Sequence, residues 1–229
     1  HLQIQQNRDG TAGSQRFMTE RASTGSVMSS LRTILKSPYF LWLLLSLPAA
    51  GILWQAATAD SDRVLHFLLH PTGEWAARLL IVSLMATPLM YLFKGAPWTR
   101  WLVSSRRYLG VAAFGYAALH AGFYLWTEPL PRVLDEATSL DMAAGWLAFL
   151  IFLPLAATSF DTAVRRLGTW WKPLQRWVYV AAVATLIHWA ALHGWKEPLP
   201  ALAQFAPLAL LEAYRVWWVW LRPRPALAA

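Results

Sequence analysis

The sequence predicts an all-α protein: a polytopic membrane helical bundle of six transmembrane helices with its N-terminus in the cytoplasm. Three observations predict it. Hydrophobic residues fill 57% of the 229 positions, with 15 tryptophans, whereas a soluble domain is usually about 45–50% apolar. Six apolar runs approach the ~20 residues that a helix needs to cross a hydrocarbon core of ~30 Å. Lysine and arginine gather on one side of those runs.

The elements follow in order. Residues 1–30 are polar, rich in Ser, Thr, Gln and Gly, and without periodicity. They read as a disordered leader with no signal-peptide pattern, with Met18 or Met28 as the natural start. The membrane domain is expected over 31–222, with 223–229 as a short cytoplasmic tail. Its apolar segments are 39–57, 74–93, 108–126, 142–160, 177–195 and 201–220. The connections carry charges and helix breakers: "DSDR", "KGAPWTR", "EPLPRVLDEATSLD", "DTAVRRLGTWWKP" and "KEP". Pro48, Pro88, Pro154 and Pro207 fall inside apolar segments, where neighbouring groups can satisfy the carbonyls that a proline frees.

With the N-terminus inside, the inner side holds 12 basic residues: Arg32, Lys36, Lys94, Arg100, Arg106, Arg107, Arg165, Arg166, Lys172, Arg176, Arg222 and Arg224. The outer side holds 4: Arg63, Arg78, Arg132 and Lys196. That imbalance sets the orientation. Tryptophans fall near both interfaces, Trp98, Trp101, Trp170, Trp171 and Trp217 inside and Trp75, Trp126 and Trp195 outside. The net charge of +8 fits basic loops on anionic membrane lipids, and no nucleic-acid partner is expected. With no cysteine in the chain, disulfides, cysteine-ligated iron–sulfur clusters, thiol chemistry and C-x-x-C-H haem attachment are excluded.

The histidines carry the chemistry. "YAALHAGFY" places His120 in an apolar run, where an imidazole must find a partner. His188 lies in the fifth segment. Counted from the expected inner helix ends, His120 is about 12 residues up, roughly 18 Å, and His188 about 11, roughly 17 Å. Two imidazoles level on different helices can hold one iron from opposite axial sides, the arrangement of a six-coordinate, low-spin electron-transfer haem. Ala113, Tyr116 and Ala117 flank His120, and Ala181, Ala184, Thr185 and Ala191 flank His188. Such small residues leave room for a flat macrocycle or let helices pack closely. His193 is the substitute ligand if the register differs, and His66 reads as a solvated loop residue.

Helices three to five resemble the MsrQ (YedZ) family of the ferric-reductase-like transmembrane superfamily. The resemblance covers roughly residues 32–222. It rests on H-x-T-G at 70–73, R-R-x-L-G at 106–110, His120, T-S at 158–159, R-R-L-G at 165–168, Trp171, Tyr179 and His188. It implies that His120 and His188 are the axial ligands of haem b. It also implies a membrane subunit that passes electrons across the bacterial inner membrane to a periplasmic molybdopterin reductase, MsrP, which repairs methionine sulfoxide in proteins. Quinol and a cytoplasmic flavin reductase are the donors attributed to the family, and FMN is attributed as a further cofactor.

One departure stands out. Where the family reads L-H-R, this chain reads "LQR", so Gln175 replaces a histidine 13 residues before His188, and Arg107 lies 13 residues before His120. One haem, on the outer side, is therefore expected.

His70 is a candidate contact for a quinone headgroup or the haem edge, or an ordinary interfacial polar residue. Arg78 can pair a haem propionate or snorkel to lipid headgroups. The basic rim of Arg106, Arg107, Arg165, Arg166 and Arg176 suits FMN or a docking reductase, or reflects orientation alone. No G-x-G-x-x-G fingerprint is present, so the chain needs a separate donor and acceptor. The alternatives are a stand-alone ferric or cupric reductase using the outer haem, and a non-redox scaffold or transporter in which both histidines are structural.

Overall fold

Every regular element among the described residues, 37–222 of this computed structural model, is helical. The leader and the tail lie outside them. Helix α1, Pro38–Ala57, carries Pro48 in its interior. Helix α2, Asp62–Leu92, holds Pro71 and Pro88 and begins well before the expected residue 74. His66 and His70 thus lie in its first turns and not in a loop. The "HPTG" stretch does not break the helix, because Thr72 repairs what Pro71 opens. Its hydroxyl lies 2.7 Å from the Leu68 carbonyl and 2.9 Å from that of Leu69.

Lys94 and Gly95, at φ 49° and 72°, turn the chain sharply after α2. Pro97 then restarts it at the first position of α3, Pro97–Thr127, a place where the missing N–H costs nothing. The charged "KGAPWTR" stretch is therefore mostly helix. In the next connection a short α4, Leu130–Glu136, is tied by Arg132 to Glu128 at 3.1 Å and to Glu136 at 2.7 Å. Helix α5 is Leu140–Ala157, α6 Asp161–Leu167 and α7 Trp171–Arg176. Helix α8, Val178–Ala191, runs into a tight turn at Leu192–Trp195. Helix α9, Leu199–Val216, widens into a π turn at Trp217–Leu221.

Among the described residues, 4 helices are long and apolar enough to cross a membrane: α1, α2 from Arg63 onward, α3 and α5. The fifth and sixth expected segments form α8 and α9, of 14 and 18 residues. A 14-residue helix is only about 21 Å long.

The chain divides into two units, 1–47 and 48–229. The described part of the first is the apolar first half of α1. In the second, α2 lies along α3 and α5 along α8. Contacts of α3 with α5 and of α2 with α8 close a four-helix ring, and α9 rests on α2 and α8. The contact faces are made of small residues: Ala77 on α2, Ala112 and Ala113 on α3, Ala144 and Ala148 on α5, Ala181 and Ala184 on α8. Large apolar residues point outward instead, with Leu150 60% and Leu210 72% exposed. In lipid no hydrophobic force drives helices together, so small residues that let backbones close are favoured. Water would penalise that outward apolar surface. Buried Tyr116 adds a polar tie, its hydroxyl accepting the Ala49 N–H at 2.9 Å beside Pro48.

Candidate functional site

The ring of helices brings His120 on α3 and His188 on α8 together, with ring centres 6.2 Å apart and planes crossing at 77°. The Nδ1 of His120 lies 2.9 Å from the Leu69 carbonyl on α2. The Nδ1 of His188 lies 2.8 Å from the Asp141 carbonyl on α5. A carbonyl only accepts, so each Nδ1 carries the proton and each neutral ring keeps its lone pair on Nε2. Among the described residues neither Nε2 has a hydrogen-bond partner. A ring nitrogen donating to a main-chain carbonyl while the other stays free is the usual state of a metal-ligating histidine.

The spacing fits one metal held between the rings. A metal–imidazole bond is about 2.0 Å, so two opposed imidazoles on one ion have ring centres about 6 Å apart. Both rings keep some accessible surface although they lie among the helices. Among the described residues no group of three or more His, Asp or Glu side chains could hold a metal ion. Two nitrogens alone supply only the axial positions, so the remaining donors must come with the metal, as they do in a porphyrin. The residues present therefore fit a haem.

The other expected residues are placed as follows. His70 is exposed on α2, 3.3 Å from Glu74 one turn on. Arg78, one turn further, is 2.6 Å from the other Glu74 oxygen and donates from Nε to Gln204 at 3.0 Å. His66 lies 3.6 Å from Glu128. The side chain of His193 lies outside those described. Ala113, Ala181 and Ala184 are buried in helix contacts, the packing role open to them.

At the level of Arg107 and Gln175 the polar groups are engaged. Arg107 donates to Asp161 at 2.6 Å, a bond that holds the Asp161 carboxyl below the usual carboxylate range. Gln175 donates to the Leu155 carbonyl at 3.1 Å and to the Thr158 hydroxyl at 3.2 Å, and the Trp171 indole N–H reaches the Thr158 carbonyl at 3.0 Å. These bonds cap the end of α5. On the basic rim, Arg106 donates to Thr87 at 3.0 Å and Arg165 to Thr162 at 3.1 Å, while Arg166 and Arg176 are exposed.

Sequence reasoning missed the ring acceptors and Gly145. A Cβ on Gly145 would lie 2.7 Å from His188 Nδ1. A glycine in the middle of an apolar helix was the available signal, since it destabilises a helix unless close packing requires it.

Paired, carbonyl-anchored imidazoles among apolar helices define a membrane component built to hold a metal cofactor. Residues 72–186, about half of the chain, match the family described as ferric reductase like transmembrane component. Three relatives are each named protein-methionine-sulfoxide reductase heme-binding subunit MsrQ. The one from Ralstonia nicotianae is 36% identical, over 65% of this chain and 69% of its own. That from Rhizobium meliloti is 37% identical, over 67% and 71%, and that from Herminiimonas arsenicoxydans 32%, over 68% and 72%. The chain belongs to the MsrQ family of ferric-reductase-like transmembrane proteins. No solved structure matches it.

Proposed function

We propose that this chain is a b-type cytochrome subunit of the bacterial inner membrane, with one haem held between His120 and His188 near the periplasmic face. It takes electrons from quinol or a cytoplasmic flavin reductase and delivers them to a periplasmic molybdopterin reductase, MsrP-like, that repairs methionine sulfoxide in proteins. The carrying observation is the pair of carbonyl-anchored imidazoles with ring centres 6.2 Å apart. When bound, the iron porphyrin supplies a one-electron redox centre.

The chain's own residues orient and enclose that centre. Leu69 and Asp141 fix both tautomers through their carbonyls, so that each Nε2 is offered to the metal. Arg78 keeps Nη1 for a propionate beyond its bonds to Glu74 and Gln204. His70, exposed on α2, is placed for a quinone headgroup. The basic rim faces the cytoplasm in a six-span topology, with α8 and α9 completing the bundle, and is the surface for FMN or a docking reductase. Arg107 and Gln175 offer no second pair of imidazoles, which supports a single haem.

Pyridine haemochrome analysis of the purified chain tests this reading, with one b-type haem per chain expected. A colourless protein made with abundant haem would leave the scaffold reading standing. Activity that survives removal of the periplasmic partner would favour a stand-alone ferric or cupric reductase.

A further inference from the structure

The two ring acceptors share a construction. Leu69 lies four residues before Gly73 on α2, and Asp141 lies four residues before Gly145 on α5. In each case the imidazole arrives from the paired helix, α3 for the first and α8 for the second. A Cβ on Gly73 would stand 3.1 Å from both Cε1 and Nδ1 of His120. One on Gly145 would stand 2.7 Å from Nδ1, 2.9 Å from Cε1 and 3.1 Å from Cγ of His188. No such contact faces Gly51, Gly115 or Gly122, where a Cβ would meet nothing within 4 Å.

Helical geometry explains the offset of four. The carbonyl at position i accepts the N–H of i+4, and the Cα–Cβ bond at i+4 leans back toward the helix N-terminus. A side chain at i+4 therefore shades the carbonyl at i. Glycine removes the shade and opens the second lone pair of that oxygen to a neighbouring helix. The ring can then sink against bare backbone and donate its Nδ1 proton.

We propose that Gly73 and Gly145 are matched positioning residues. Each opens a backbone cradle that seats one histidine against a carbonyl four residues back and so aims its Nε2 at the shared metal. This rests on the haem reading above. The two cradles are unequal. At Gly145 a methyl group would sit closer to the ring than real Cβ atoms come, against a helix-anchored side chain, so His188 must leave its seat. At Gly73 a displacement of a few tenths of an ångström suffices, and the acceptor lies in the turn that Pro71 has already loosened.

The test uses the full chain purified with haem, comparing wild type with Gly145→Ala, Gly73→Ala and Gly122→Ala. The readouts are haem per chain, ferric spin state, reduction potential and carbon monoxide binding by the ferrous form. Gly145→Ala is expected to lose more than half of the low-spin signal, to bind carbon monoxide where the wild type does not, and to regain low spin when free imidazole is added. That rescue separates a displaced ligand from a damaged fold. Gly73→Ala is expected to shift the same readouts in the same direction by less, and Gly122→Ala to match wild type. A Gly145→Ala protein with the wild-type spectrum and no carbon monoxide binding overturns the proposal. Should that variant fail to accumulate, Gly73→Ala decides, and an unchanged spectrum and potential there overturn it. A wild type without low-spin haem overturns both this inference and the reading beneath it. A low-spin wild type with an unaffected Gly145→Ala overturns the cradle alone.

Discussion

The same two helices, α3 and α8, present polar side chains at two levels, and the two levels are opposites. At one, His120 and His188 each use Nδ1 on a main-chain carbonyl and leave Nε2 without a partner. At the other, 13 residues back on each helix, Arg107 closes on Asp161 and Gln175 on the end of α5. Burial of polar groups is common to both levels. What differs is completion. A polar group among apolar helices that is fully bonded within the protein holds the fold, whereas one bonded on a single side is held in readiness for something else.

The largest effect that could break this contrast comes from exchanging one member at each level. His188→Ala is expected to abolish the Soret band of the purified protein, and Gln175→Ala to leave it intact. Loss of the band in Gln175→Ala would make the second level a cofactor site as well. Haem per chain comes next: a ratio near one is expected, and a ratio near two would contradict the division. The ring geometry sharpens the first level further. Axial planes crossing at 77° are expected to give a strongly anisotropic, large-g low-spin electron paramagnetic resonance signal. A rhombic signal would mean near-parallel rings.

Smaller effects belong to the bonded level. Gln175→Ala removes two hydrogen bonds to α5 and should cost about 1–2 kcal/mol, read as a lower Tm with haem content unchanged. Asp161→Asn should do least, because the carboxylate is exposed. Its effect has a definite pH sign. A carboxyl held low by Arg107 contributes stability above the ordinary carboxylate range and loses it as pH falls through the folded-state value. Wild-type Tm should therefore drop toward Asp161→Asn on acidification, and a gap that widens in acid would contradict the pairing.

Much of this was legible beforehand. Helical class followed from apolar runs of membrane length, and His120 and His188 drew attention because imidazoles in such runs need partners. The helix starts at Asp62 and Pro97 were less legible. "HPTG" and "KGAPWTR" look like breaks until Thr72 is seen covering the turn at Pro71 and Pro97 is seen at a first helical position. The distance argument for the two histidines counted from helix ends that the structure moves, so it was no substitute for the ring contact itself.

By itself the sequence determined the local matters: which stretches are apolar enough to be helices in lipid, which imidazoles lie inside them, and which histidine is missing at Gln175. Those follow from side-chain type and spacing along one chain segment. Only the tertiary structure decided that Leu69 and Asp141 hold the rings, that Gly73 and Gly145 make room for them, and that the two rings stand 6.2 Å apart. The reason is physical. Every residue has a carbonyl, so no letter of the sequence marks the one that is used. The approach of two backbones depends on pairs of residues from segments far apart in the chain.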